Sequence, residues 1–96
     1  MYLVVSQWEA IPGHEEDFDR IGLTMRGVLA AQPGVELIKT FQAESGKVVV
    51  VHGYTDEAAY NKVVSDPSSP FLKAMQETEL ESHARWISSD RGMTRD

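Results

Sequence analysis

The side chains best suited to chemistry gather where one hydrophobic tract ends, in the stretch V-V-V-V-H-G-Y-T-D-E-A-A-Y over residues 48–60. His52 is the strongest candidate for proton transfer, because the unperturbed pKa of histidine lies near neutrality and a cavity can move it either way. Tyr54 shares a strand face with His52, since side chains two apart on a strand point the same way. The alternative is that His52 simply ends a strand and has no chemical role.

Further residues could form the walls of a ligand cavity around His52. Trp8 alternates with Ser6 on one face of the first predicted strand, and aromatic rings stack well on a flat ligand. Aromatic residues and methionine more often simply belong to the core, so a structural role is the alternative for each. The predicted substrate-binding residues are Ser6, Trp8, Tyr54, Tyr60, Phe71 and Met75, with Gln7 as a further hydrogen-bonding group.

Metal and nucleophile chemistry have little support in the residue pattern. The three histidines, His14, His52 and His83, have no short spacing that would place two of them on one helix face, so no metal site is expected. The chain has no cysteine, which excludes thiolate nucleophiles, thiolate metal sites and disulfides. Ser6 has no local signature of an activated nucleophile.

Length and charge limit the classes of partner. Ninety-six residues make one domain with a modest core. The 15 acidic and 9 basic residues give a net charge of −6, and no basic stripe is present to bind nucleic acid or an anionic membrane. The longest aliphatic run, Val48–Val51, is far too short to span a membrane, and the N-terminus has no secretory signal. A soluble, cytoplasmic protein is expected.

The first half of the chain predicts a strand, a helix and a second strand. Tyr2–Glu9 is β-branched and aromatic, and Pro12-Gly13 ends it. His14–Ala31 has apolar residues at helical spacing and acidic residues in its first turn, where the helix dipole favours them. Pro33-Gly34 then closes the helix, and Val35–Gln42 follows as a strand.

The second half predicts a hairpin, a broken helix and a last strand. Lys47–Tyr54 pairs with the preceding strand through a turn that contains Gly46. Thr55 is the predicted cap of a second helix, and Ser69-Pro70 starts a third helical segment. A short strand over residues 83–89 completes a single domain over residues 1–90, and residues 91–96 form a polar tail expected to fray.

The order β, α, β, β, broken α, β predicts an α+β, ferredoxin-like split βαβ domain, with a four-stranded antiparallel sheet and helices on one face. The second sheet face should then be polar. Instead, Val35, Leu37 and Phe41 are predicted to point one way and Ile38 the other, and the third strand is valine on both faces. Such an exposed apolar face favours a homodimer formed through the sheet.

Over residues 2 to about 90 the chain resembles the antibiotic biosynthesis monooxygenase-like family of the dimeric α/β barrel superfamily. The stretches that carry the resemblance are I-P-G-H-E-E-D-F, A-A-Q-P-G-V, V-V-V-H-G-Y-T-D-E-A-A-Y and S-D-P-S-S-P-F, in this order and spacing. The resemblance implies a homodimeric barrel with a ligand cavity between sheet and helices. It also implies oxygenation of aromatic phenols or quinols without metal, flavin or other cofactor.

Several positions depart from the pattern of that family. Tyr54 stands where many members have tryptophan, and Val63 stands where many have histidine or tryptophan. A sister group binds and degrades haem, but its asparagine and histidine match Ser6 and Met75 or Gln76 here. The resemblance therefore favours a cofactor-independent monooxygenase. A non-catalytic small-molecule-binding or structural dimer is the alternative, and haem degradation has the least support.

Overall fold

The computed structural model describes residues 1–95 of the chain. Among these residues, no helix is both long enough and apolar enough to cross a membrane. The elements in chain order are β1 (Tyr2–Ala10), α1 (Glu15–Ala30), β2 (Val35–Gln42), β3 (Val48–Tyr54), α2 (Glu57–Val64), α3 (Pro70–Glu77), a single 3-10 turn (Leu80–Ser82) and β4 (Ala84–Met93).

The four strands form one antiparallel sheet in the order β2-β3-β1-β4. The register of the two central strands runs from Tyr2 opposite Tyr54 to Trp8 opposite Val48. The helices cover one face of this sheet, and the predicted ferredoxin-like α+β fold is confirmed. The core on the covered face consists of two adjoining clusters, one around Phe18 and Met25 and the other around Leu29 and Tyr54.

Helix α1 forms where the periodicity predicts it. Its first turn carries Glu15, Glu16 and Asp17, which interact favourably with the positive end of the helix dipole. Its buried stripe consists of Phe18, Ile21, Met25 and Leu29. The helix is one residue shorter at each end than the predicted range His14–Ala31. The agreement is close because the local signals for its start and end are both strong.

The broken second helix is confirmed, but one predicted cap is wrong. Asp56, not Thr55, caps α2, and its carboxylate accepts a hydrogen bond from the Ala59 backbone N–H at 2.8 Å. Thr55 instead donates its backbone N–H to the Gly34 carbonyl oxygen at 2.8 Å. The cap of α3 is Ser69, as predicted, and Pro70 follows it in the first turn.

Strand β4 is longer than the sequence predicts. The polar tail was expected to begin at residue 91, yet Arg91, Gly92 and Met93 pair with β1. Thr94 continues the contact by donating its backbone N–H to the Met1 carbonyl oxygen at 2.8 Å. Backbone hydrogen bonds explain the extension, because a strand at the edge of a sheet pairs through its backbone N–H and C=O groups even where its side chains are polar. Asp96, the last residue of the predicted tail, lies outside the described residues.

The sheet face away from the helices has an apolar patch, although one predicted orientation is wrong. A bulge at Glu36 places Val35 opposite Tyr54 and Leu37 opposite Gly53. Val35 therefore packs with the core under the helices, and Leu37 lies on the open face. On the open face Leu3 and Leu37 lie on either side of Gly53, and Val5 lies opposite Val51.

Candidate functional site

The covered face of the sheet forms the floor of a cavity of about 700 Å³. Three rows of side chains cross this floor, since residues in register on antiparallel strands share a face. The first row runs through Val4, His52 and Ile38, and the second through Ser89, Ser6, Val50 and Thr40. The third runs through Trp86, Trp8, Val48 and Gln42. The floor thus carries His52 on one side, hydroxyl groups in the middle and two tryptophans on the other side.

The three helices supply the walls and roof. Helix α1 contributes Phe18, Met25 and Leu29 of its buried stripe, and the cavity residues of α2 and α3 are Tyr60, Val64, Phe71 and Met75. Most of these side chains are apolar, so the cavity is suited to a hydrophobic ligand with a few polar substituents. The mouth lies between α1 and the β2–β3 hairpin, where the lining residues are exposed: Asp19, Leu23, Phe41, Gln42 and Gly46.

His52 is held on the floor by aromatic neighbours. Its ring meets those of Tyr54 and Phe71 edge to face, with centroid separations of 6.1 Å and 6.4 Å. Burial lowers the pKa of His52 from 6.5 to about 4, because a charged imidazolium is poorly solvated in this environment. His52 is therefore neutral at physiological pH.

The hydrogen bond with Tyr54 determines which ring nitrogen of His52 carries the proton. The Tyr54 hydroxyl lies 3.3 Å from His52 Nδ1, which is its single hydrogen-bond partner among the described residues. Tyr54 has no exposed surface, so a hydroxyl proton without an acceptor would cost about 1–3 kcal/mol. Burial also raises the pKa of Tyr54, with the nearby Tyr60 adding to the effect, so the hydroxyl keeps its proton. Tyr54 therefore donates to Nδ1, and Nε2 carries the ring proton of His52.

This tautomer changes the chemistry expected of His52. Nε2 of His52 has no hydrogen-bond partner within residues 1–95, and it is not fully buried. Its N–H can therefore reach a ligand. The sequence suggests a general base, whereas a neutral imidazole with Nε2 protonated offers a hydrogen-bond donor. Such a donor suits a carbonyl or phenolate oxygen of a ligand.

The middle row of the floor supplies further polar groups. Ser6 Oγ accepts a hydrogen bond from Trp8 Nε1 at 3.2 Å, which fixes the indole ring along the sheet. Thr40 Oγ1 is buried and has no hydrogen-bond partner among the described residues. Because an unpartnered buried hydroxyl is costly, Thr40 is poised to bond a ligand in the cavity.

The structure places most of the predicted site residues around one space. Ser6, Trp8, His52, Tyr60, Phe71 and Met75 all line the cavity. Tyr54 does not line it, because its ring lies fully buried in the core behind His52. Gln7 alternates with Ser6 and Trp8 and points to the open face of the sheet, so it is wrong as a hydrogen-bonding group of this site.

Many lining residues were not predicted from the sequence, and two of them, Thr40 and Arg26, carry polar groups. Thr40 alternates with Ile38 on β2, and this alternation could have revealed it once the hairpin register was known. Arg26 lies on the cavity side of α1 and is the single lysine or arginine among the described lining residues. Its guanidinium adds one positive group to a lining that also contains Asp19 and Glu15.

A separate group of titratable side chains lies outside the cavity. His14 and His83, which are 69 residues apart in the chain, approach with their Nδ1 atoms 2.9 Å apart, and Asp17 lies beside them. The absence of short spacing among the histidines, from which no metal site was expected, does not hold them apart in space. Spacing along one helix could not reveal the contact, because the two residues are distant in the chain.

Comparison with known proteins agrees with this architecture. The family model described as antibiotic biosynthesis monooxygenase matches residues 1–78. No curated protein sequence matches the chain. Among solved structures, SnoaB, a cofactor-independent oxygenase from Streptomyces nogalater, superposes with a TM-score of 0.80 at 18% identity over 99% of this chain and 93% of that one.

Two further structures have the same fold. Rv0793 from Mycobacterium tuberculosis gives a TM-score of 0.80 at 14% identity, over 99% of this chain and 95% of that one. PA3566 from Pseudomonas aeruginosa gives a TM-score of 0.77 at 18% identity, over 99% and 94%. Together with the family match over residues 1–78, these similarities show that the chain belongs to the antibiotic biosynthesis monooxygenase family.

Proposed function

We propose that this protein is a cytoplasmic, cofactor-independent monooxygenase that acts on an aromatic phenol or quinol. The observation that carries the proposal is the neutral, cavity-facing His52 in an apolar cavity of about 700 Å³. Ligand cavities of roughly 300–1,000 Å³ are typical of small-molecule sites. Trp8, Tyr60 and Phe71 provide aromatic surfaces on which a flat substrate stacks.

The proposed role of His52 is to stabilise the ionised substrate. A phenol has a pKa of about 10, and an imidazole whose conjugate acid has a pKa of about 4 is a weak base for it. A hydrogen bond from Nε2–H to the phenol oxygen instead favours the phenolate and lowers the pKa of the substrate. Solvent or hydroxide at the cavity mouth then takes the proton.

The phenolate is electron-rich enough to react with oxygen directly. In the proposed reaction, phenol and O₂ give a quinone and water: one oxygen atom becomes the new carbonyl group, and the other leaves as water. The substrate supplies all the electrons, so the equation balances without an added reductant. Thr40 and Ser6 are in place to hydrogen-bond a second oxygen substituent.

Oxygen consumption with a panel of naphthols, anthrones and hydroquinones tests the proposal. We expect a turnover that falls about 10²–10³-fold in His52→Leu, the usual cost of removing one donor to an oxyanion. His52→Gln keeps an amide N–H and should lose less. Glu57→Gln, an exposed change on α2, is the control for differences between protein preparations. Equal turnover by His52→Leu and the unchanged protein would contradict the assigned role.

A binding protein without turnover is the second candidate, and one observation favours it. Nε2–H of His52 donates rather than accepts, and the remaining acidic groups at the cavity, Glu15 and Asp19, lie exposed at its edge. Both candidates predict that Thr40→Val weakens ligand binding about 10-fold through loss of a hydrogen bond. Thr24→Val, on the exposed side of α1, is the matched control. Binding without oxygen uptake across the panel would favour this candidate.

We also propose that two copies pair through the open sheet face. Val5 is 37% exposed in the single chain, and Met1, which lies against Gly53 on this face, is 40% exposed. Gly53 supports close packing there, because Met1, Leu3 and Leu37 crowd around its α-carbon. Apolar surface of this kind on a sheet is stabilised by packing against a second sheet. Sedimentation velocity of the whole chain tests this pairing.

A further inference from the structure

The start of α1 and the start of β4 meet at a pair of histidines. His14 immediately precedes α1 and makes no side-chain cap bond to the helix. His83 follows the 3-10 turn and immediately precedes β4. Their rings lie 5.1 Å apart between centroids at an interplanar angle of 55°, and the two Nδ1 atoms are 2.9 Å apart. At that distance one nitrogen donates a proton and the other accepts it, so the pair shares one proton between two metal-binding atoms.

A carboxylate completes the group. Asp17 Oδ2 lies 3.7 Å from His83 Nδ1, and the three ligand atoms of His14, Asp17 and His83 all lie within 4.8 Å of one another. The other carboxylate oxygen, Asp17 Oδ1, is held by Arg20 at 2.9 Å. Arg20 therefore orients the carboxylate and leaves Oδ2 free to face the two imidazoles.

The backbone holds these three residues firmly in place. The His83 carbonyl oxygen accepts a hydrogen bond from the Ile11 backbone N–H at 3.0 Å, which fixes the start of β4 against the end of β1. The His14 carbonyl oxygen accepts the Phe18 backbone N–H at 2.9 Å, which places Asp17 in the first turn of α1. None of the three side chains lines the cavity among the described residues, so the group is distinct from the proposed oxygenase site.

We propose that His14, Asp17 and His83 form a binding site for a divalent transition-metal ion of the zinc type. Two imidazole nitrogens and one carboxylate oxygen are borderline ligands that suit Zn²⁺, Co²⁺ or Ni²⁺ and not Mg²⁺ or Ca²⁺. Zn–N bonds of about 2.0–2.1 Å in tetrahedral geometry separate two nitrogens by about 3.3 Å. The Nδ1 atoms need to move apart by only a few tenths of an ångström from 2.9 Å, and the shared proton is released.

Water completes the coordination sphere, because the site offers three protein ligands and its side chains are partly exposed. The ion links parts of the chain 69 residues apart and so stabilises the folded state over the unfolded one. The expected consequence is a metal-dependent rise in thermal stability.

Co²⁺ and Zn²⁺ added to the whole, metal-free chain test the site. We expect tetrahedral Co²⁺ absorption bands, their loss on addition of Zn²⁺, and a Tm that rises with Zn²⁺ but not with Mg²⁺. The variants His14→Gln, Asp17→Asn and His83→Gln should each weaken Zn²⁺ binding at least about 10-fold by titration calorimetry. His52→Gln, which removes a histidine elsewhere, should bind Zn²⁺ as the unchanged chain does.

Metal-free stability separates loss of the site from loss of the fold. Circular dichroism and Tm of each variant without metal show whether the chain still folds, and Asp17→Asn is the mildest change because asparagine has the same shape and the carboxylate is partly exposed. Two results would overturn the proposal. One is an unchanged Tm and absence of Co²⁺ bands in the wild-type chain, and the other is equal Zn²⁺ affinity in the His14→Gln/His83→Gln double variant.

Discussion

The chemistry of the cavity depends on which proton His52 carries. Tyr54 decides this from a buried position, since its hydroxyl has His52 Nδ1 as its acceptor and keeps its own proton. A histidine that looks like a general base in the sequence thereby becomes a hydrogen-bond donor. The same logic applies to Thr40, whose buried hydroxyl has no partner among residues 1–95 and would gain one from the proposed ligand.

Removing the Tyr54 hydroxyl tests the assigned tautomer. In Tyr54→Phe the Nδ1 atom loses its donor, so we expect His52 to populate both tautomers and the free energy of unfolding to fall by about 1 kcal/mol. ¹⁵N NMR of the imidazole distinguishes the tautomers, and urea unfolding measures the stability. Tyr60→Phe is the matched control, because Tyr60 lies beside Tyr54 without bonding His52. A wild-type spectrum with Nδ1 protonated would refute the assignment.

The lowered pKa of His52 also predicts how the free energy of unfolding depends on pH. Its folded pKa of about 4 lies below the unfolded value of 6.5. Between these values the unfolded state binds the proton more tightly, so the His52 contribution is intact above pH 6.5 and is lost as the pH falls toward 4. The loss amounts to about 3 kcal/mol over this window. Urea unfolding at a series of pH values, repeated with His52→Gln, isolates the effect, which should be absent from the variant.

At the level of the elements, caps and turns explain why the helices begin and end where they do. Ser69 is buried, accepts a hydrogen bond from the Phe71 backbone N–H at 3.2 Å and donates to the Val63 carbonyl oxygen. It therefore starts α3 and ties it to the end of α2 with a single side chain. This junction orients Phe71 and Met75 toward the cavity, so the break in the second helix shapes the site.

The turn between α1 and β2 offers a test with a matched pair of glycines. Gly34 has φ +84, and a Cβ there would lie 2.7 Å from Ala59 Cβ on α2. Gly34→Ala should cost about 1–3 kcal/mol from backbone strain, in addition to the clash. Gly27, inside α1, has open space around its Cβ position, so Gly27→Ala should stabilise by about 0.5–1 kcal/mol. Chemical denaturation of both variants measures the difference, and equal effects would contradict this account.

Local signals predicted the elements well and their contacts poorly. The period of α1, the Ser69-Pro70 start and the glycine turn of the hairpin are each encoded within a few residues, and the structure has them all. The bulge at Glu36, the burial of Tyr54 and the meeting of His14 with His83 depend on packing between distant segments. Composition and periodicity contain no information on such contacts. The floor of the cavity was predictable because strand alternation alone sorts its residues onto one face.

For the molecule as a whole, the two faces of one sheet differ in what covers them. The covered face carries the polar groups of the cavity, and the open face has an apolar patch that no helix of the described chain covers. The proposed pairing through the open face would account for the unbroken valines of β3, because a sheet buried on both faces needs apolar residues at both alternations.

Replacing Val5 tests the association directly. Val5 lies opposite Val51 and Asp90 near the middle of the open face, so Val5→Lys places a charge within the proposed contact. The single chain tolerates the change, since Val5 is 37% exposed and lysine can pair with Asp90. We expect the unchanged protein to sediment as a dimer and Val5→Lys to sediment as a folded monomer, because removing the lysine ammonium from water within the contact costs more than its attraction to Asp90 contributes. Leu23→Lys adds the same charge at a residue 68% exposed on α1 and should remain dimeric. A monomeric wild-type protein would rule out the proposed pairing. A Val5→Lys variant that stays dimeric would show that the contact between copies lies elsewhere.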